Sequence, residues 1–116
     1  MQYLVILNDP PYGTERSYNG LRLAISLATS EGAGVSVFLM GDAASCAAGG
    51  QVTPNGYYNI ERMLKILAAK KVPIGVCGSC MDARGIKPEM LAEGAHCSSM
   101  SELTSLTGAA DRVLVF

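Results

Sequence analysis

Two cysteines separated by two small residues, Cys77-Gly78-Ser79-Cys80, are the side chains of this sequence best suited to covalent chemistry. They follow the apolar run Val72-Pro73-Ile74-Gly75-Val76 and precede the polar turn Asp82-Ala83-Arg84-Gly85, so a strand delivers its last side chain, a thiol, into a loop. A thiol is nucleophilic as the thiolate, and neighbouring amides, an arginine or a helix N-terminus lower its pKa. Gly78 and Ser79 leave room for backbone donors, and Arg84 adds a positive group if the turn folds back. Such ingredients suit attack on a sulfur atom or its carriage. Packing explains Cys77 equally well at this stage, because free cysteine is among the most buried residue types, and the chain would then be a non-enzymatic oligomeric binding or scaffold protein.

Cys80 widens the choice. A second thiol three positions on could resolve a mixed disulfide or a persulfide, make the pair a thiol-disulfide switch, or simply pack beneath the loop. A structural zinc site needs about four ligands, and the only completion here, His96-Cys97, puts two of them side by side, which suits tetrahedral geometry poorly. No metal site is expected; His96 reads as a polar residue near a loop or interface, and Cys97 as a core residue. Asp9, Asp42, Asp82 and Glu61 lack metal-ligand spacing; Asp9 and Asp82 are expected to stabilise turns, Asp42 to cap a helix and Glu61 to occupy a first turn. Gly32-Ala33-Gly34 and Gly49-Gly50 lack the trailing Lys-Ser/Thr of a phosphate loop. Tyr12, held between Pro11 and Gly13, and the pair Tyr57-Tyr58 could line a pocket or an intersubunit contact, where rigid amphipathic rings are useful.

The elements around these residues follow from periodicity. Tyr3 to Leu7 is a continuous apolar run, the pattern of a strand buried on both faces, and Asn8-Asp9-Pro10-Pro11-Tyr12-Gly13 stops it. A helix follows, capped by Thr14 and ending near Glu31, with Tyr18, Leu21, Ala24, Ile25 and Ala28 on its apolar face, widened by Leu23 and Leu27. Val35 to Leu39 reads as a second strand, and Asp42 opens a short helix through Ala47 that includes Cys46. Asn59 is placed to cap the strongest helix, carrying Ile60, Met63, Leu64 and Leu67 to Lys70-Lys71. Residues 72–77 form the third strand. A weak helix from Pro88, a brief strand over 94–97, a helix beginning at Ser99 or Ser101 and a strand over 112–116 complete the chain.

This alternation predicts an α/β protein, a three-layer α/β/α sandwich with a mostly parallel sheet of about five strands. Ligands of such sheets gather beyond the carboxyl ends of strands. The loops at 8–13, 40–50 and 77–86 should share that end, bringing Cys77, Cys46 and the first polar loop near one another.

The 116 residues fit a single domain, 1–116, with 49% hydrophobic residues but no tryptophan. A mean hydropathy of +0.26 in so small a domain predicts that it covers part of its surface with copies of itself. Nine basic against ten acidic residues supply no field for a polyanion, so nucleic acid is not an expected partner. No apolar run approaches the roughly 18 residues of a membrane span, and no basic segment precedes the first strand. A cytoplasmic protein with reduced thiols and no membrane association is expected.

Taken together, Pro11-Tyr12-Gly13 after the first strand, the helices over 17–27 and 59–67, the segment from Cys77 to Gly85 and the ending Asp111-Arg112-Val113-Leu114-Val115-Phe116 resemble the DsrE/DsrF-like family, its YchN-like branch in particular. The resemblance spans essentially the whole chain. In sulfur-relay members, it implies, a cysteine at a strand end takes up sulfane sulfur as a persulfide and passes it to a partner protein. The spacing to Arg84-Gly85 carries that role onto Cys77, and Cys80 resembles the second cysteine of the YchN-like branch. The resemblance further implies homo-oligomers, trimers or hexamers, with the cysteine loops near subunit contacts, donor and acceptor proteins for the persulfide, and no cofactor.

Overall fold

In the computed structural model, which describes residues 1–116, strands and helices alternate almost throughout. Strand β1 (Gln2–Leu7) leads through α1 (Arg16–Thr29) to β2 (Gly34–Leu39). A 3₁₀ segment, Gly41–Ala47, precedes α2 (Ile60–Ala69) and β3 (Ile74–Cys77). The five-residue helix α3 (Gly78–Asp82) and a 3₁₀ turn, Pro88–Met90, connect β3 to β4 (Ala95–Ser98), and α4 (Met100–Ala109) leads to β5 (Arg112–Val115). The expected α/β/α sandwich is present.

The five strands are ordered β4-β3-β2-β1-β5, and every pairing is parallel. From β1 to β4 the chain steps towards one edge; from β4 to β5 it crosses back to the other. Parallel crossovers share one hand, so this reversal places α4 on the face opposite α1 and α2. Alternation along the strands divides the core accordingly. Val5, Leu7, Val37, Leu39, Ile74 and Val76 pack with Leu21, Leu64 and Leu67 on one face. On the other, a smaller cluster joins Leu4, Phe38, Cys77 and Leu103. That second layer rests on one ten-residue helix. No helix is long and apolar enough to cross a membrane.

Several boundaries differ from the periodicity for local reasons. Thr14 does not cap α1: its hydroxyl donates to Asp9 Oδ2 at 3.0 Å, and Glu15 flanks the helix with no side-chain cap. The helix closes at Thr29, and Leu23 is exposed. The residues after Pro88 make only a 3₁₀ turn. Asn59 does cap α2, its Oδ1 accepting from the Arg62 amide at 3.0 Å, and Ser99 caps α4 by accepting from the Glu102 amide at 3.2 Å.

Candidate functional site

Three loops meet at the carboxyl ends of the strands, and polar contacts tie them together. The Gly41 amide donates to Cys80 Sγ at 3.2 Å, Arg84 reaches Asp42, and the Cys46 thiol donates to the Asp9 carbonyl at 3.6 Å. Gly41 has φ +56°, a left-handed conformation favourable to glycine, and this aims its amide at the sulfur.

Cys77 ends β3 and flanks α3, a position that follows from the change of period at Gly78-Ser79. Its Sγ accepts from the Cys80 amide at 3.4 Å and lies 3.3 Å from Ser79 Oγ. Burial pushes the thiol up, but hydrogen bonds from the Cys80 and Ser79 side chains and from their amides outweigh it, holding Cys77 below the ordinary 9.0. Cys80 moves the other way. Burial and its bond to Cys77 raise it, against the smaller opposing effects of the Gly41 amide and the Arg84 charge. Within the pair, Cys77 is therefore the more readily ionised thiol and Cys80 the less.

Arg84 folds back as its sequence position allows, but not onto Cys77. Its Nη2 and Nε donate to Asp42 Oδ1 at 2.7 and 3.1 Å, and its Nη1 to the Cys80 carbonyl at 3.0 Å. Asp42 consequently does not cap the segment in which it lies, which begins after Met40 without a side-chain cap. The guanidinium charge is compensated by Asp42 and acts on Cys80.

Beside Cys77 is a recess of about 240 Å³. Cys77 and Ser79 form one side, Ser98, Ser99 and Met100 the other, with Phe38 also lining it. Cys77 is paired with Ser98 across the β3–β4 ladder. Ser98 Oγ is buried and has no hydrogen-bond partner. Further along the same face, His96 Nε2 lies 2.6 Å from Glu102 Oε1. That contact holds the Glu102 carboxyl below its usual range against partial burial, and Ser98 lies near enough to add to the effect while remaining outside hydrogen-bonding geometry. Gly75 makes this approach feasible: a Cβ there would lie 3.0 Å from Phe38 and 3.1 Å from Glu102 Oε1.

The remaining candidate residues have separate roles. Cys46 is fully buried, and burial drives its pKa to about 12, so it packs as a protonated thiol towards Asp9 with no hydrogen bond to Cys77. Asp9 receives Thr14, accepts Ser17 Oγ on its carbonyl at 2.7 Å and faces Arg16 at 3.8 Å, organising the first loop. Pro11 is half-buried there, and Gly13 takes φ +96°. The Tyr12 hydroxyl donates to Gln51 Oε1 at 2.6 Å and accepts from the Ile60 amide at 3.1 Å, fastening that loop to the start of α2. Tyr58 stacks on Tyr18 with ring centres 4.3 Å apart, whereas Tyr57 is exposed. Asp82 is exposed, and its carbonyl accepts from Gly85 in the turn after α3. Cys97 is exposed on edge strand β4 rather than in the core, since β4 has a neighbour on one side only.

No three or more His, Cys, Asp or Glu side chains gather closely enough to hold a metal ion. Sequence reasoning missed Gly41, Ser98, Met100 and Phe38. Gly41 had a signal, a glycine two residues past the end of β2, but the others depend on strand order.

The DsrE/DsrF-like family model matches residues 1–116. Protein YchN of Escherichia coli K12 is 43% identical over 118 residues, covering 100% of both chains. An uncharacterized protein of Methanocaldococcus jannaschii is 36% identical over 116 residues, again covering 100% of both. The crystal structure of the E. coli ychN protein superposes with a TM-score of 0.91 at 42% identity, covering 100% of each chain. A protein of unknown function from Methanobacterium thermoautotrophicum shares the fold at 14% identity, with a TM-score of 0.72 over 97% of each chain.

Proposed function

The chain belongs to the DsrE/DsrF-like family, and from that premise we propose that it is a sulfur carrier or sulfurtransferase in which Cys77 holds sulfane sulfur as a persulfide. The observation that carries this reading is the Cys77 sulfur at a strand end, 3.4 Å from the Cys80 amide and 3.3 Å from Ser79 Oγ, beside an open recess. These donors favour the thiolate without a histidine or carboxylate base.

The Cys77 thiolate attacks the outer sulfur of a donor persulfide, R-S-SH. A Cys77 S–S bond forms, the R-S–S bond breaks, and R-S⁻ leaves. An acceptor thiolate then removes the outer sulfur by the same exchange, regenerating the Cys77 thiolate. Alternatively the Cys80 thiolate attacks the inner sulfur, forming a Cys77–Cys80 disulfide and releasing HS⁻. A dithiol reductant restores that disulfide to two thiols. All the steps before this reduction move sulfur by exchange and need no external oxidant.

Donor and acceptor are proteins that present thiols to the loop, and the working form is a homo-oligomer. Its support is the edge strand β5, where Val113 and Val115 are 40% and 64% exposed. Sedimentation of the purified chain distinguishes monomer from trimer or hexamer. Incubation with a donor persulfide, followed by mass spectrometry and cyanide release, tests the carrier. One sulfur mass should appear on Cys77, vanish in Cys77→Ser and persist longer in Cys80→Ser. Equal loading of Cys77→Ser and the parent at other cysteines would reject the assignment.

A further inference from the structure

We infer that Ser98 is the hydrogen-bond donor for the outer sulfur of the Cys77 persulfide, making the recess between β3, β4 and the start of α4 the seat of a small sulfur anion. The inference rests on the sulfur-carrier reading and adds to it a residue and a place for the transferred atom.

The argument begins with strand register. Cys77 is opposite Ser98 in a parallel ladder, so their side chains lie on one face of neighbouring strands about 4.8 Å apart. An outer sulfur extends about 2 Å beyond Cys77 Sγ. The recess lined by both residues, about 240 Å³ in volume, has room for such an atom. Ser98 Oγ is the buried side-chain oxygen or nitrogen in this fold without a hydrogen-bond partner. Buried polar groups are ordinarily paired, so an unpaired hydroxyl in the wall of a recess has capacity for a ligand.

The start of α4 favours an anion there, against the nearby Glu102 carboxylate. The recess reaches Ser99 and Met100, where α4 starts, and the first amides of a ten-residue helix lack intrahelical acceptors. Ser99 already takes the Glu102 amide on its side chain and the Leu103 amide on its carbonyl, leaving the two preceding amides as the free end of the helix. Other titratable groups around the site are Cys80 on α3, His96 and Cys97 on β4 and Glu102 on α4; Glu102 is engaged by His96. Arg84 is bound to Asp42. Ser79 already lies against Cys77 Sγ itself, and Ser98, which faces the Glu102 carboxyl outside hydrogen-bonding geometry, is the buried hydroxyl of this wall that can turn to the added sulfur.

The test uses the full chain carrying Cys80→Ser, which prevents internal discharge, loaded with sodium tetrasulfide. The Cys77 thiolate attacks a terminal sulfur of the hydropolysulfide, gaining that sulfur and releasing the shortened hydropolysulfide. Alkylation of the loaded protein across pH, read by mass spectrometry at Cys77, gives the midpoint at which the outer sulfur becomes an anion. Adding Ser98→Ala should raise that midpoint by about one pH unit, the effect of one hydrogen bond to a charged atom. Ser98→Thr, which keeps the hydroxyl, should retain the parental midpoint. Equal midpoints in the parent and Ser98→Ala, or the same rise in Ser98→Thr, overturn the role of Ser98 while leaving the carrier standing. Failure of the Cys80→Ser parent to load at Cys77 removes both.

Discussion

The Cys80 amide donates to the Cys77 sulfur across 3.4 Å, so the side chain that closes the start of α3 is also the one prepared for chemistry. Thiol activation and local folding therefore share one interaction. The pair is unequal: Cys77 is held below 9.0 and Cys80 above it.

This inequality predicts the pH dependence of reactivity. Alkylation of Cys77 should reach its half-maximal rate below pH 9.0, because a lowered pKa makes thiolate available at lower pH. Ser79→Ala, which removes the hydroxyl 3.3 Å from the sulfur, should move the midpoint upward. Arg84→Ala should leave the Cys77 midpoint unchanged and raise that of Cys80, with about 0–1 kcal/mol lost from the ion pair to Asp42. A large rise at Cys77 in Arg84→Ala would assign the arginine to the wrong thiol here.

Cys46 should behave in the opposite way. Burial raises its folded-state pKa to about 12 from 9.0, so its contribution to stability is complete below pH 9.0 and is lost as pH rises towards 12. Over that interval the loss is roughly 4 kcal/mol. Urea denaturation at increasing pH should show this decline, and Cys46→Ala should flatten it. At neutral pH, Cys46 should resist alkylation until the protein unfolds.

Tyr12→Phe tests the fastening of the first loop. Its hydroxyl serves Gln51 and the Ile60 amide together, so removal should cost about 1–2 kcal/mol. The expected measurement is a lower urea midpoint with an unchanged slope. An unchanged midpoint would show that water replaces both bonds without loss.

The readability of the chain depended on the distance over which each interaction acts. Leu64 and Leu67 advertise α2 through helical spacing, and Asn59 announces its start, because these effects are local. Cys77 was legible for the same reason: the apolar run ends on it. Thr14 misled because Asp9, five residues away, captured its hydroxyl. Ser99 does cap α4, while the Glu102 carboxylate goes to His96, a neighbour supplied by β4. Ser98 was silent in the sequence. Its importance arises only when β4 is laid beside β3, a choice among strand orders that neither residue encodes by itself.

Strand β3 is bonded to β2 on one side and β4 on the other, whereas Cys80 rides a helix of five residues. The first sulfur is thus held by two neighbouring strands and the second by a single short helix. A disulfide between them would replace the thiolate that accepts from the Cys80 amide, so its cost would fall on the cap of α3 and not on the ladder hydrogen bonds of β3.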